Sequence, residues 1–312
     1  MRDGKGKTPA VTTYTVEALS TQYRFFHWHL AFPQVFARGG FNVVLGNPPW
    51  ERVKLQEQEY FAARNEDIAN APNAAARKRL IAALPEDNPI LWKAWCEASR
   101  AADGESNFVR KSGRYPLCGR GDMNTYALFA EHNCRSISDA GRAGFITPTG
   151  IATDDTTSEF FAGLMESQRL ESLFDFENQA GIFPSVHRSF KFSLVTVAGN
   201  AAARRRRAAD FVFFAHSVDD LSDIARRWSL TASDIRLLNP STRTCPVFRT
   251  KRDAELTGSI SYFTGTPPNG ISIRASGSGC ACFATHSRRG FWPGRRGPSS
   301  PGLGESACRT HV

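Results

Sequence analysis

Asn47-Pro48-Pro49-Trp50 is the stretch of this 312-residue chain whose residue types are best suited to chemistry. An amide side chain stands beside two prolines. The prolines fix φ and remove two N–H donors, so the neighbouring carbonyls are held in one direction. A large flat indole follows. A pinned amide, pinned carbonyls and a flat ring suit a flat, hydrogen-bonding ligand. The stretch holds no titratable base, so its chemistry would rest on positioning and preorganised polar groups. The plainer reading is a turn, since Asn and Pro are both common turn residues. The preceding run favours the richer reading. Phe41, Val43, Val44 and Leu45 are apolar and partly β-branched, as in an inner strand of a parallel sheet, and Gly46 lets the chain leave it. Ligands of open α/β sheets bind just beyond the carboxyl ends of the strands.

The elements around this turn follow from apolar spacing. Residues 1–15 are polar and expected to be mobile. Val16 to Phe36 is rich in aromatics and reads as a strand or extended segment leading towards the sheet, with Pro33 as a break. His27 and His29 flank Trp28. Without a third ligand, their spacing favours ordinary packing over a metal site. After Trp50, a helical insertion over 51–122 is expected. Val53–Arg64 and Ala74–Leu84 have helical spacing, and Asn88-Pro89 opens a helix that Asp103-Gly104 should end. An insertion there would sit over the mouth of the pocket. Its cations Arg77, Lys78, Arg79, Arg100, Arg110, Lys111 and Arg114 could meet phosphates or simply form a solvated face.

Asp122 is the expected N-cap of a helix from Met123 to Ser138. Gly119-Arg120-Gly121 follows no apolar strand and is a weak candidate for a phosphate loop. Arg142–Pro148 and Leu170–Phe176 read as strands, with a helix over Asp154–Gln168 between them. Phe190–Val197 is another strand, with Ala208–Ala215 as its expected partner. Between them lies the basic loop Arg204–Arg207 (Arg204, Arg205, Arg206, Arg207), a surface loop or a phosphate contact. Val218–Trp228 and Thr231–Leu238 read as short helices, the second capped by Ser229 or Thr231.

Composition bounds the class. With 41% hydrophobic and 22% charged residues, the chain is of ordinary globular type. No apolar run approaches the roughly eighteen residues of a membrane span, and the start MRDGKGKTPAVTTYT has no apolar core for a secretory leader, so a cytoplasmic location is expected. The seven cysteines include no Cys-x-x-Cys pair, which favours neither a disulfide framework nor zinc. The net charge of +9 points to an anionic partner, but +5 of it lies in residues 259–312. That segment holds nine Gly, nine Ser and five Pro but one Leu, a composition unable to bury a core. Residues 258–312 are expected to be disordered, either as a frameshifted tail or as a natural flexible basic one.

Asn47–Trp50 resembles the [N/D/S]-P-P-[Y/F/W] motif of amino-methyltransferases. The runs Phe26–Trp50, Arg114–Ala130, Gly141–Thr157 and Phe174–Val197 resemble, in order, the adenine-specific (N6) DNA methyltransferases of restriction–modification systems, the type IIG, TaqI-like methylase domain. The resemblance covers about residues 20–257 and implies a Rossmann-like α/β methyltransferase fold. It implies S-adenosylmethionine as methyl donor, no metal, and double-stranded DNA as partner, with the adenine flipped out of the duplex. Asn47 and Pro48 would accept the hydrogens of the adenine N6 amine, and Trp50 would stack on the base. Phe183, in a Gly-x-Phe-Pro segment, matches the position that packs on the base's other side.

One part of the family pattern is missing. The Gly-rich donor loop and its following acidic residues belong before the Asn-Pro-Pro segment, yet only 46 residues precede Asn47. A βαβ unit alone takes about 30 residues or more. The expectation is a partial methyltransferase domain over 16–257, containing the later strands only and needing an upstream methylase-half polypeptide. In the family's strand order the absent first strand would lie beside the Asn47 strand, leaving an unpaired apolar edge. The rival expectations are a non-catalytic DNA-binding remnant and an unfolded product of a broken reading frame.

Overall fold

The computed structural model describes residues 10–203 and 207–264. Three helices lead in: α1 (Ala10–Tyr23), α2 (Trp28–Ala31) and α3 (Pro33–Phe36). The expected extended segment over Val16–Phe36 is therefore helical, and so are the last residues of the N-terminal stretch expected to be mobile. Glu17, Ala18 and Leu19 place good helix formers in the middle of α1, and the Thr15 and Thr21 hydroxyls donate to the carbonyls of Val11 and Glu17, at 2.8 and 2.9 Å, within the helix. Pro33 opens α3 rather than breaking the chain, because the first helical position needs no N–H. Gly40, at φ +119°, turns the chain into β1 (Phe41–Gly46), where an added Cβ would meet the Ser136 carbonyl at 2.6 Å.

The insertion folds as α4 (Glu57–Ala62), α5 (Glu66–Ala69), α6 (Ala74–Asp87) and α7 (Pro89–Lys111). Asn65, Asn73 and Asn88 cap the last three, each side chain accepting an N–H three residues on, at 2.9–3.0 Å. Asp103-Gly104 does not end α7. Val109 is buried farther along, and that packing carries the helix past a single weak residue. Phe61, Ile68, Ile81 and Leu84 form a core of their own, closed by Tyr60, Leu91, Trp92 and Trp95.

The rest is a mixed α/β unit. α8 (Thr125–Ser136) leads into β2 (Ile137–Thr147). Asn124, not Asp122, caps α8, accepting from the Tyr126 N–H at 3.3 Å, while Asp122 pairs with Arg52 at 3.6 Å. After β2 come α9 (Gly150–Thr153), a 3-10 turn over Asp155–Thr157 and α10 (Ser158–Glu166), then β3 (Leu170–Glu177) and β4 (Lys191–Ala198). α11 (Asn200–Ala203), β5 (Ala209–Ala215), β6 (Trp228–Leu230), α12 (Ala232–Leu238) and α13 (Lys251–Thr264) complete the chain. The strand order is β1-β2-β4-β3-β5-β6. β1 is parallel to β2 and β3 to β5, whereas β4 runs antiparallel to both its neighbours and β6 antiparallel to β5.

The expected pairing of the fourth strand with Ala208–Ala215 is thus overturned. β4 pairs with β2 and β3, and β5 lies beyond β3. Every residue of β5 is buried, which suits a strand parallel to an inner neighbour better than one arm of a hairpin. Val218–Trp228 is not a helix either: it holds one 3-10 turn, Asp219–Ser222, and Trp228 opens β6, stacked on Phe211 at 4.9 Å. Thr231 caps α12 with a reciprocal Asp234 contact, as one of its two expected caps. α13 runs through residue 258, where disorder was expected to begin. The remaining tail and Arg204–Arg206 lie outside the described residues.

Side chains alternate across the sheet. Phe145, Val195, Leu173 and Phe211 stand in register on the face packed against α8 and α10, with Phe160, Phe161 and Tyr126. Ile146, Leu194, Phe174 and Val212 face the other way into a smaller cluster. Among the described residues β1 is one edge of the sheet, with β6 at the other. Val44 packs on the main core, but Val43 and Leu45 point to the other face and are 61% and 78% exposed.

Candidate active site

Because β1, β2, β3 and β5 point the same way, their carboxyl ends make one rim. It carries the Asn47–Trp50 turn, the Thr147–Gly150 turn, the loop after Glu177, and His216, together with Lys191 at the start of β4.

Pro48 is buried at the turn, while Asn47 and Pro49 are exposed and Trp50 is 36% exposed. The turn is stitched to the start of α8. The Thr125 hydroxyl donates to the Pro49 carbonyl at 2.7 Å and accepts from the Glu51 N–H at 3.0 Å. The Thr125 N–H donates to the Glu51 carbonyl at 2.8 Å, and the Val53 N–H to the Met123 carbonyl at 3.0 Å. Among the described residues, no hydrogen bond occupies the Asn47 side chain or the Pro48 carbonyl. Two acceptor-bearing groups therefore stand free beside an indole at the end of a parallel strand.

Phe183 lies on the same rim in the loop between β3 and β4, 37% exposed, its ring edge-on to Phe192 at 5.0 Å. No hydrogen bond or ring contact joins it to Asn47–Trp50 among the described residues. Its loop hangs on Asn178, which is fully buried. The Asn178 amide donates to the carbonyls of Phe183 and Val186, at 3.0 and 2.8 Å, and accepts from the Phe183 N–H at 2.9 Å. Gly181, at φ +75°, makes the bend that lets the loop return.

Asp175 ties three rim segments together. Its carboxylate accepts from the Thr149 hydroxyl, from the Ser193 hydroxyl at 3.2 Å and from the Phe214 N–H at 3.5 Å. Burial pushes its carboxyl above the ordinary range, and these donors with Lys191 offset part of the rise. Burial also acts to raise Glu177, but Lys191 at 2.9 Å and His216 at 3.3 Å hold it below the usual carboxylate range. The Lys191 ammonium also lies 4.5 Å from the centre of the Phe214 ring.

The candidate phosphate contacts are scattered. Lys78, Arg114 and Arg207 are exposed, whereas Arg77 is half-buried and donates to the Ile68 carbonyl at 3.2 Å. Among the described residues no group of His, Cys, Asp and Glu is arranged to hold a metal, and no helix is long and apolar enough to cross a membrane. Reading the sequence missed Thr125, Asp175 and Asn178. Thr125 and Asp175 matter through contacts distant in the chain, whereas Asn178 bonds within its own loop, five to eight residues on.

Residues 7–78 match the family model described as Eco57I restriction-modification methylase. No curated protein sequence matches the chain. Among solved structures, the type I restriction-modification system methyltransferase subunit from Streptococcus thermophilus is similar at 15% identity and TM-score 0.34, over 46% of this chain and 34% of that one. The type IIG restriction endonuclease BpuSI is similar at 15% identity and TM-score 0.32, over 72% and 21%. The ATP-dependent Type ISP restriction-modification enzyme LlaBIII bound to DNA is similar at 10% identity and TM-score 0.31, over 61% and 12%. The chain thus spans between 12% and 34% of the length of these proteins.

Proposed function

We propose that this chain, whose residues 7–78 match the Eco57I restriction-modification methylase model, supplies the methyl-acceptor pocket of an adenine-N6 DNA methyltransferase. The observation that carries the reading is the free Asn47 amide and free Pro48 carbonyl beside Trp50, at the carboxyl end of β1 and inside the matched segment.

The adenine N6 lone pair is delocalised into the ring and is a poor nucleophile. Two fixed acceptors on its hydrogens draw the nitrogen towards tetrahedral geometry and aim the lone pair outward. The Asn47 side-chain oxygen and the Pro48 carbonyl take those roles, by positioning and electrostatics rather than by acid–base exchange. The base reaches them only when flipped out of the duplex. Trp50 stacks on it, worth about 1–3 kcal/mol, and Phe183 covers the other face. Lys78, Arg114 and Arg207 are the exposed candidates for phosphate contacts.

S-adenosylmethionine supplies the methyl group in this reading, but the described residues do not fit a donor site. The described chain before β1 is α1–α3, with no strand followed by a Gly-rich loop and a helix. In this reading the donor site comes from outside the described residues, on an upstream methylase half. A strand added along the free, apolar edge of β1 would cover it, and the exposed Val43 and Leu45 beside it suit such a partner.

Calorimetry with S-adenosylmethionine tests the division of labour: the chain alone should bind none, and micromolar binding would contradict it. In a reconstituted complex, Asn47→Ala should remove methylation of DNA while DNA retention survives. Full activity in that variant would place the pocket elsewhere. That the described residues hold no donor cradle favours one second reading, a non-catalytic DNA-binding remnant. It expects salt-sensitive DNA binding with no methyl transfer under any complementation.

A further inference from the structure

We infer that Thr125 is the positioning residue of the Asn47–Trp50 turn, an inference that rests on the acceptor-pocket reading. Two prolines stiffen the turn internally and Pro48 is buried, but among the described residues the side chains of 47–50 make no hydrogen bond to the rest of the molecule. Thr125 does so with one hydroxyl used twice, as donor to the Pro49 carbonyl and as acceptor from the Glu51 N–H, on both sides of Trp50. Its own N–H completes the clasp on the Glu51 carbonyl. The next turn of α8 is anchored in the main core by Tyr126, Ala127 and Ala130, at 6%, 3% and 0% exposure. The orientation of Trp50 is thereby referred to the sheet through α8 rather than through the exposed edge strand β1.

The clasp also sorts the carbonyls. Pro49's is occupied by Thr125, and Pro48's is left available as an acceptor. A residue that merely filled space at position 125 would not make that distinction. Serine keeps it and valine, of nearly the same shape as threonine, loses it. Two neutral hydrogen bonds correspond to about a tenfold change in the population of the ordered turn or more.

The test uses the full chain carrying 5-fluorotryptophan, with the Trp50 fluorine resonance identified by its loss in Trp50→Phe. Thr125→Val should shift and broaden the Trp50 line and leave the other tryptophan lines in place. Thr125→Ser should restore it. An unmoved Trp50 line in Thr125→Val, or a change in all the lines alike, would overturn the inference. If Thr125→Val does not fold, hydrogen exchange of the unmodified chain still decides. The exposed Glu51 amide should be protected through Thr125, and exchange at the rate of a free amide would overturn the clasp. In a reconstituted methylase, Thr125→Val should lower kcat about tenfold with KM for DNA unchanged, and an equal kcat would also overturn it. A complex that methylates nothing with the natural chain tells against the acceptor-pocket reading, whereas the fluorine line and the Glu51 amide judge Thr125 by themselves.

Discussion

Replacing Asn178 by alanine should release the loop that carries Phe183 while leaving the sheet intact. The side chain is fully buried and makes three hydrogen bonds of 2.8–3.0 Å, two donated to the Val186 and Phe183 carbonyls and one accepted from the Phe183 N–H. At roughly 1 kcal/mol net for each neutral bond, the loss is about 3 kcal/mol. Phe183 is partly exposed, so water can reach its freed N–H and carbonyl, and the cost does not rise to that of fully stranded polar groups. Spread over a domain stable by about 5–15 kcal/mol, such a loss opens one loop before it unfolds the molecule. An opening made easier by about 3 kcal/mol exchanges its amides about a hundredfold faster. Hydrogen exchange followed by mass spectrometry over residues 178–190 reads this directly, with β3 and β4 as internal controls. Less than a threefold change at Phe183 would refute the reasoning, and so would equal acceleration of β3 and β4.

Asp175 carries a pH signature. Burial raises its carboxyl above the unfolded value, so its contribution to stability is present below that value, near pH 3.9, and is lost as pH rises through the folded value. Asn at position 175 keeps an acceptor for Thr149 and Ser193 but cannot ionise. The melting-temperature advantage of the natural chain over Asp175→Asn should therefore shrink from acid towards neutral pH, and an advantage that grows would contradict the sign. Phe61→Ala removes a ring at 0% exposure from the separate core of the insertion and should destabilise α4–α7 by about 3–5 kcal/mol. Proteolysis and exchange should then open 57–111 alone, and simultaneous loss of the sheet strands would show that the two cores are one.

The turn at Asn47 was legible because the chain writes it locally: an apolar strand, a glycine, two prolines and an indole in ten residues. The Asn88-Pro89 helix start and the Thr231 cap were legible for the same reason, since each lies within four residues of the groups it satisfies. The segment before β1 misled because aromatics suit strands as well as helices, while the Ala, Leu, Glu and Gln between them decided the matter. Strand neighbours were not readable at all. β5 follows β4 in sequence and resembles a hairpin arm, yet its place is set by burial on both faces beside β3. At the candidate site, the residues whose identity suggests chemistry stood out. Those that hold them stayed hidden, because Thr125 acts across seventy-six residues and Asp175 draws together a turn and two strands.

The excursion from Val53 to Met123 begins and ends at adjoining main-chain atoms, the Val53 N–H on the Met123 carbonyl and Arg52 bridged to Asn124, while Val109 and Cys118 within it join the main core. Seen from the sheet, the whole helical outgrowth is a loop with a closed neck. Length can change most freely in its outer part, around the separate core of Phe61, Ile68, Ile81 and Leu84, whereas its return past Val109 and Cys118 is built into the main core. The outer helices can then vary with whatever meets the surface, while the strand-end turn is held by its neck contacts to α8.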